Sequence, residues 1–294
     1  MRNILVVTGG AGFIGYNLIF ELLKFKKFRI LSVDNYSSGF LKNHIKNKRV
    51  KYLKGSTKDI ESLLIRYKRK IHSIFHFGEF ARIYQSFKKI NECFSSNVEG
   101  SSNVFNFALK NKIRLIYSAT SASLGNGGKD MNLSPYAFSK AKNLELLVNL
   151  KKWFNFKYEV VYIYNVYGEK QICTGDMATV VGIFEDHFKR GKKLPVVRPG
   201  TQVRRFTHVS DTIKACIFAW RKNKCKHYSI ANKEFYSILE LAKMFKSKIK
   251  YLPKREGERF VSSLKNMNLN NKIIRLSAKI KLRDYIKNFL MNNR

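Results

Sequence analysis

The segment Thr8-Gly9-Gly10-Ala11-Gly12-Phe13-Ile14-Gly15 constrains this chain more than any other. It follows Asn3-Ile4-Leu5-Val6-Val7, a short apolar, β-branched run that reads as a buried strand. It leads into Asn17-Leu18-Ile19-Phe20-Glu21-Leu22-Leu23, whose apolar residues have helical spacing. Glycines between a strand and a helix let the backbone turn tightly and come close to a pyrophosphate. The helix N-terminus then offers that anion free N–H groups and a positive dipole end. A glycine pattern alone is weak evidence, but Asp34 reinforces it. Asp34 stands nineteen residues after Gly15, at the end of the apolar run Phe28-Arg29-Ile30-Leu31-Ser32-Val33. An acid there accepts hydrogen bonds from a ribose 2′-hydroxyl and repels a 2′-phosphate, so NAD is expected rather than NADP. The next residues, Asn35, Tyr36, Ser37 and Ser38, carry no cation that would reverse that preference.

The same alternation continues. Arg49–Leu53, Ser73–Phe77, Ile113–Ser118 and Tyr158–Tyr164 read as strands. Helices are predicted from Lys58-Asp59-Ile60 to about Tyr67, over Asn97–Leu109 and over Pro135–Lys151, with a loop over Tyr36–Lys48. Strands and helices alternating at these lengths predict an α/β fold with a doubly wound parallel Rossmann sheet. Beyond Asn165, Gly175, Gly191, Pro195, Pro199 and Gly200 punctuate longer loops, with helices near Ala178–Lys189, Val209–Lys222, Ile238–Phe245 and Leu282–Leu290. The expected division is a nucleotide-binding domain over 1–165, to which segments near 201–230 return, and a smaller α/β substrate-binding portion over 166–294.

The formal charge of +37 would suit a nucleic-acid surface, but the lysines run along the whole chain among Asn, Ile, Phe and Tyr. That spread reads as compositional bias, with nucleic acid not expected as a partner. Cys93, Cys173, Cys216 and Cys225 have no CxxC or metal-type spacing, so reduced thiols in a cytoplasmic protein, and no metal, are expected. A signal peptide and a bilayer-spanning apolar run are both absent from the pattern, so no membrane association is expected.

Tyr136-Ala137-Phe138-Ser139-Lys140 places a phenol and an ammonium on one helix face. A nearby cation favours the phenolate, which would let Tyr136 act as a base below its ordinary range. Tyr84 and Lys88 repeat the spacing. Position separates the two pairs: Tyr136 opens the helix after the fifth strand, where open α/β sheets bind ligands.

With these residues in order, the chain resembles the extended short-chain dehydrogenase/reductase family, in particular nucleotide-sugar epimerases of the UDP-glucose 4-epimerase type. The resemblance implies cofactor contacts at Gly9, Gly12, Phe13, Ile14, Gly15, Asp34, Asn35, Ser38, Asp59, Ile60, Phe77, Gly78, Arg82, Asn97, Ser118, Tyr136, Lys140 and Tyr164. Tyr117–Gly125 resembles the strand-five segment bearing the catalytic Ser or Thr, and alignment to Gly125 makes that residue Thr120. Thr120, Tyr136 and Lys140 complete the implied catalytic set. Substrate contacts are implied at Glu79, Thr120, Asn165, Asp176, Met177, Arg204, Arg255 and Ser262, with Arg204 and Arg255 gripping the diphosphate. The lysine that some members place after the strand-four His is missing, and Arg82 is the candidate replacement.

The implied reaction is 4-epimerisation of a UDP-hexose through a transient 4-keto sugar, with UDP-glucose, UDP-N-acetylglucosamine and UDP-glucuronate all open. Dehydratases of the family carry Asp-Glu after the catalytic Thr, and decarboxylases a Glu, whereas Ser121 and Ala122 follow Thr120 here. Elimination returns only if Glu79, the unexpected acid near the site, faces C5 of the sugar. A dehydratase or reductase is therefore the alternative, and a non-catalytic basic nucleotide binder the third reading. His76 and His208 are read as structural, since neither has a partner in the pattern. The resemblance also implies a homodimer through the helices over Asn97–Leu109 and Pro135–Lys151.

Overall fold

The structure is a computed structural model that describes residues 2–121, 130–255 and 273–293. The first half follows the order β1 (Ile4–Thr8), α1 (Phe13–Leu22), β2 (Arg29–Asp34), β3 (Val50–Lys54), α2 (Ile60–Leu64), β4 (Ile71–His76), α3 (Ile83–Lys88), α4 (Ile90–Phe94), α5 (Ser101–Lys110), β5 (Arg114–Thr120), α6 (Pro135–Phe154) and β6 (Tyr158–Ile163). There follow β7 (Asn165–Tyr167), α7 (Val180–Lys189), β8 (Leu194–Val197), β9 (Val203–Arg204), β10 (Phe206–His208), α8 (Val209–Lys222), β11 (His227–Ala231), β12 (Tyr236–Ser237), α9 (Ile238–Met244), β13 (Ile249–Leu252), β14 (Ile273–Ser277) and α10 (Leu282–Met291).

Eight strands form one parallel sheet in the order β14-β11-β6-β5-β4-β1-β2-β3. This is the doubly wound arrangement that the alternation predicts. Alternate side chains of each strand enter opposite layers. Val6, Ile74, Leu115 and Tyr117 pack with Val104, Phe105 and Leu144 on one face. Leu5, Val7, Phe75 and Ile116 pack with Leu18, Val209, Ile213 and Trp220 on the other. A separate core of Tyr167, Phe184, Val196, Leu241, Phe245 and Ile286 supports the elements beyond β6. β11 and β14 join the main sheet beside β6, so the chain returns to it twice after residue 200.

The strand order reverses between β1 and β4, and the crevice at the strands' C-terminal ends opens there. α6 borders that crevice. Ser134 caps it by accepting from Ala137 N at 3.1 Å, Pro135 opens it, and Asn155 ends it in the left-handed region.

Several local expectations need correction. The helix expected to reach Tyr67 ends at Leu64 and tightens into a 3₁₀ turn over Ile65–Lys70, because that turn buries no side chain to hold an α-helix. α3 and α4 were not anticipated, being six and five residues long with no side-chain cap. Pro195 lies inside β8 rather than in a loop, which a two-stranded edge pairing tolerates.

Candidate active site

The crevice has a volume of about 1430 Å³. Its nucleotide end is built from the glycine turn. Gly9 sits at φ +71°, and a Cβ there would meet the Phe77 carbonyl carbon at 2.8 Å. A Cβ on Gly15 would lie 2.1 Å from the Gly9 oxygen, so α1 packs on the turn only because the side chain is missing. Gly12 caps α1 without a side chain, leaving the first-turn N–H groups of Phe13, Ile14 and Gly15 at the crevice wall. The Asp34 carboxylate lines the same wall and accepts from Ala11 N at 2.9 Å and Tyr36 N at 2.8 Å. Burial raises its pKa, and those N–H groups offset part of the shift. Each oxygen keeps a lone pair for a ribose hydroxyl. A bare helix N-terminus and a ribose-side acid are what a dinucleotide requires, so the residues present fit NAD.

Asn35, Ser38, Phe77, Gly78, Ser118 and Tyr164 also line the crevice. Three expected contacts are placed differently. Ile60 is fully buried in the core under β2 and β3, Asp59 is exposed, and Ser56, Thr57 and Lys58 form the wall instead. Asn97 is fully buried as a structural clamp: its Oδ1 accepts from Phe80 N at 2.6 Å, and its Nδ2 donates to Phe80 O at 3.0 Å.

The chemical end gathers Thr120 from β5 with Tyr136 and Lys140 from α6. The Thr120 hydroxyl hydrogen-bonds the Tyr136 phenol oxygen. Lys140 Nζ donates to Ser118 O and forms an ion pair with Glu79, both side chains being only 4 % exposed. Breaking one partner of such a buried pair costs about 3–5 kcal/mol, because the other charge is stranded.

Burial pushes the Tyr136 phenol up to about 12 rather than below its ordinary range; Glu79 adds to the rise, and Thr120 and Arg82 oppose it. Glu79 borders the crevice with its carboxylate engaged on both oxygens. Its Oε1 accepts from Ser101 Oγ at 2.9 Å, Tyr117 OH at 3.0 Å and Asn143 Nδ2 at 3.1 Å, while Oε2 takes Lys140. His76, from β4, lies beneath: its ring contacts Thr8 Oγ1 at 2.7 Å and Ser101 Oγ at 2.9 Å. Full burial drives its pKa down to about 4.

Opposite stand Asn165, Asp176, Met177, Arg204 and Arg255. Asn165 Nδ2 donates to Arg205 O at 3.1 Å, and Arg204 Nη1 to Val203 O at 2.9 Å. The Arg255 guanidinium lies 5.2 Å from the Tyr84 ring centre, and Asp176 pairs with Lys89 at 3.6 Å. Arg82 reaches across the crevice and donates to Met177 O, tying the segment after β4 to the loop before α7. Ser262 and the Ala122–Gly125 part of the strand-five motif lie outside the described residues. Among the described residues, no His, Cys, Asp and Glu group could hold a metal ion.

Residues 5–231 match the model of the NAD dependent epimerase/dehydratase family. The chain belongs to that family, and NAD is its cofactor. It is 29 % identical over 261 residues to ADP-L-glycero-D-manno-heptose-6-epimerase of Brachyspira hyodysenteriae, covering 82 % of this chain and 80 % of that protein. It is also 29 % identical over 262 residues to UDP-N-acetyl-alpha-D-glucosaminuronate decarboxylase of Bacillus cytotoxicus, covering 82 % and 79 %. The fold superposes on UDP-glucose 4-epimerase of Thermotoga maritima with a TM-score of 0.84 at 23 % identity, covering 98 % and 97 % of the two chains.

Reading the sequence missed Ser101, Tyr117 and Asn143 around Glu79. Asn143 carried a signal: it falls on the helix face of Tyr136 and Lys140, three residues on. Ser101 and Tyr117 had none, since each is an ordinary member of a helix or a buried strand.

Proposed function

We propose that this protein is a nucleotide-sugar epimerase that inverts C4 of a UDP-hexose through a transient 4-keto sugar. The observation that carries this reading is the position of Glu79. Elimination or decarboxylation in this family would use an acid beside Thr120, and Ser121 follows Thr120. Glu79 is spent on Lys140, Ser101, Tyr117 and Asn143. Among the described residues, the other acids lining the crevice are engaged elsewhere or remote: Asp34 binds the glycine turn, Asp176 pairs with Lys89, and Glu92 is exposed on α4.

In this reading Tyr136 receives the proton of the sugar hydroxyl, while Thr120 hydrogen-bonds the same oxygen and keeps it in line. NAD, when bound, supplies the hydride acceptor and a positive ring charge that favours the phenolate. Lys140 holds the ribose edge, and Gly9, Gly12, Phe13, Ile14, Gly15 and Asp34 hold the pyrophosphate and adenosine ribose. Arg204 and Arg255 grip the substrate diphosphate, with Asn165, Asp176 and Met177 bordering the sugar. A grip confined to the diphosphate leaves the keto sugar free to present its other face. Residues 1–165 would thus carry the cofactor and 166–294 most of the sugar contacts.

The reading includes a cytoplasmic homodimer. The four cysteines are free, and no helix among the described residues is long and apolar enough to cross a membrane. Phe138, Val148, Trp153 and Phe154 leave apolar surface on α6 for a second copy.

Incubation with UDP-glucose, UDP-N-acetylglucosamine and UDP-glucuronate, followed by proton NMR, tests the proposal. The expected product is the C4-inverted sugar with no net NADH. Accumulation of a keto sugar or loss of carbon dioxide would move the assignment to a dehydratase or decarboxylase. No turnover of any UDP-, GDP- or dTDP-hexose would remove the epimerase reading.

A further inference from the structure

Parallel strands enter the sheet from one end, so the segment ahead of every strand lies on the face opposite the crevice. Six such segments, 24–29, 46–49, 66–70, 110–114, 151–157 and 221–226, hold 21 Lys or Arg and no Asp or Glu in 33 residues. They lead into β2, β3, β4, β5, β6 and β11. An even spread of the chain's 57 Lys and Arg would place about six there. Backbone hydrogen bonds set the segments side by side. Arg29 N donates to Asn3 O at 2.9 Å, Asn3 N to Lys70 O at 3.0 Å, Leu115 N to Lys157 O at 3.1 Å and Val160 N to Lys226 O at 3.1 Å. The row runs across the strands from β11 to β3, a width of about 30 Å at the usual spacing between strands.

Local structure does not account for that charge. Arg49 and Arg114 are turned inward, the first donating to Leu23 O at 2.6 Å and the second to Trp220 O. With half-buried Lys68 also set aside, eighteen of the 21 are exposed. Among the described residues two of them form ion pairs, Lys24 with Glu21 at 2.8 Å and Lys110 with Glu61 at 3.8 Å. Glu159 lies at this end too, but it is fully buried beneath the amides of Cys225 and Lys226. The C-termini of α1, α5, α6 and α8 point the same way and attract cations, yet four helix ends amount to about two negative charges. The helix-to-strand connections on this face are at most six residues long, so it is level and carries no projecting arm. Trp153 and Phe154, 59 % and 60 % exposed, end α6 beside its lysines, where this face meets the surface offered to a second copy.

We propose that this face docks the protein on an anionic lipid bilayer, with acidic headgroups against its exposed lysines and arginines. A level surface brings the whole row against a plane, whereas a nucleic-acid duplex is convex and would meet only part of it. Exposed aromatic rings beside cations settle at headgroup depth. Each cation held near an anionic surface is worth about a fivefold gain in affinity, so a fraction of the eighteen suffices. Docking there leaves the crevice, at the other ends of the strands, open to solvent. Along the chain these cations read as compositional bias, and the lack of a spanning run led to the expectation of no membrane association. A peripheral contact needs no span, and the parallel topology gathers on one face what the chain holds apart.

The test is co-sedimentation of the whole chain with vesicles of phosphatidylcholine, alone or with about one-third phosphatidylglycerol, at about 0.1 M salt. The protein is expected to pellet with the acidic vesicles only, and to be released at about 0.5 M salt. Lys26→Gln/Lys27→Gln/Lys70→Gln/Lys112→Gln removes four charges from the row and should weaken binding at least a hundredfold. Should that variant not fold, Lys26→Gln/Lys27→Gln alone should weaken it at least about tenfold. Lys192→Gln/Lys193→Gln/Lys243→Gln/Lys287→Gln removes four exposed charges from the portion beyond β6 and should cost less than about threefold. Equal losses in the two quadruple variants would reduce the attraction to net charge and overturn the proposal. So would equal binding to neutral vesicles, no binding to acidic ones, or capture by a DNA duplex that acidic vesicles do not displace. The readout uses no nucleotide sugar and no NAD, so it stands or falls apart from the epimerase reading.

Discussion

The two ends of the crevice handle charge in opposite ways. At the nucleotide and proton-transfer end, Lys140 and Glu79 are each 4 % exposed and every partner is fixed by hydrogen bonds. At the sugar end, the Lys89–Asp176 pair is 38 % and 63 % exposed at 3.6 Å, and Arg255 rests on an aromatic ring. A buried pair is costly to break, whereas an exposed pair contributes about 0–1 kcal/mol. One end is therefore rigid and set for a single chemistry. The other can exchange contacts, which suits the diphosphate grip proposed above.

The largest test strikes the rigid end. Tyr136→Phe removes the proton-transfer group while keeping the ring, and kcat should fall by about a thousandfold with the fold intact by circular dichroism. Retained turnover would mean that the phenol is only a packing residue and that another group moves the proton.

A second test asks whether the rigid end behaves as a buried unit under acid. His76 titrates at about 4 in the folded chain against 6.5 when exposed. A depressed histidine pKa means the unfolded chain binds more protons between these values, so the stability His76 contributes is full above about 6.5 and lost as pH falls toward 4. The wild-type advantage over His76→Gln in urea unfolding should shrink by up to about 3 kcal/mol across that window. A constant difference would show that His76 is not enclosed as the Thr8–Ser101 contacts imply.

The smallest effect is expected at the adaptable end. Arg255→Ala should raise KM for the nucleotide sugar about tenfold and leave kcat nearly unchanged. A fall in kcat with KM unchanged would place Arg255 in the chemistry and erase the contrast between the two ends.

Much of the rigid end was legible because its determinants are local. Gly9 to Gly15 and Asp34 are read within one strand–turn–helix unit, and Tyr136 and Lys140 within one helical turn. The adaptable end is scattered over short strands and loops, and α3 and α4 lack the length and caps that make a helix visible in sequence. Asp59, Ile60 and Asn97 show the limit of position alone, since each stands in a matching segment yet turns outward or into the core.

By itself, the sequence determined the parallel sheet, the nucleotide turn and the pairing of a phenol with an ammonium on one helix face. Periods of two and of 3.6 residues and the glycine spacing act over a few residues, so they survive being read in one dimension. Only the tertiary structure set a carboxylate against that ammonium. Glu79 lies 61 positions from Lys140 and reaches it through a loop that has no period. The order β14-β11-β6 and the bridge from Arg82 to Met177 were settled in the same way, by long-range packing that brings distant segments together.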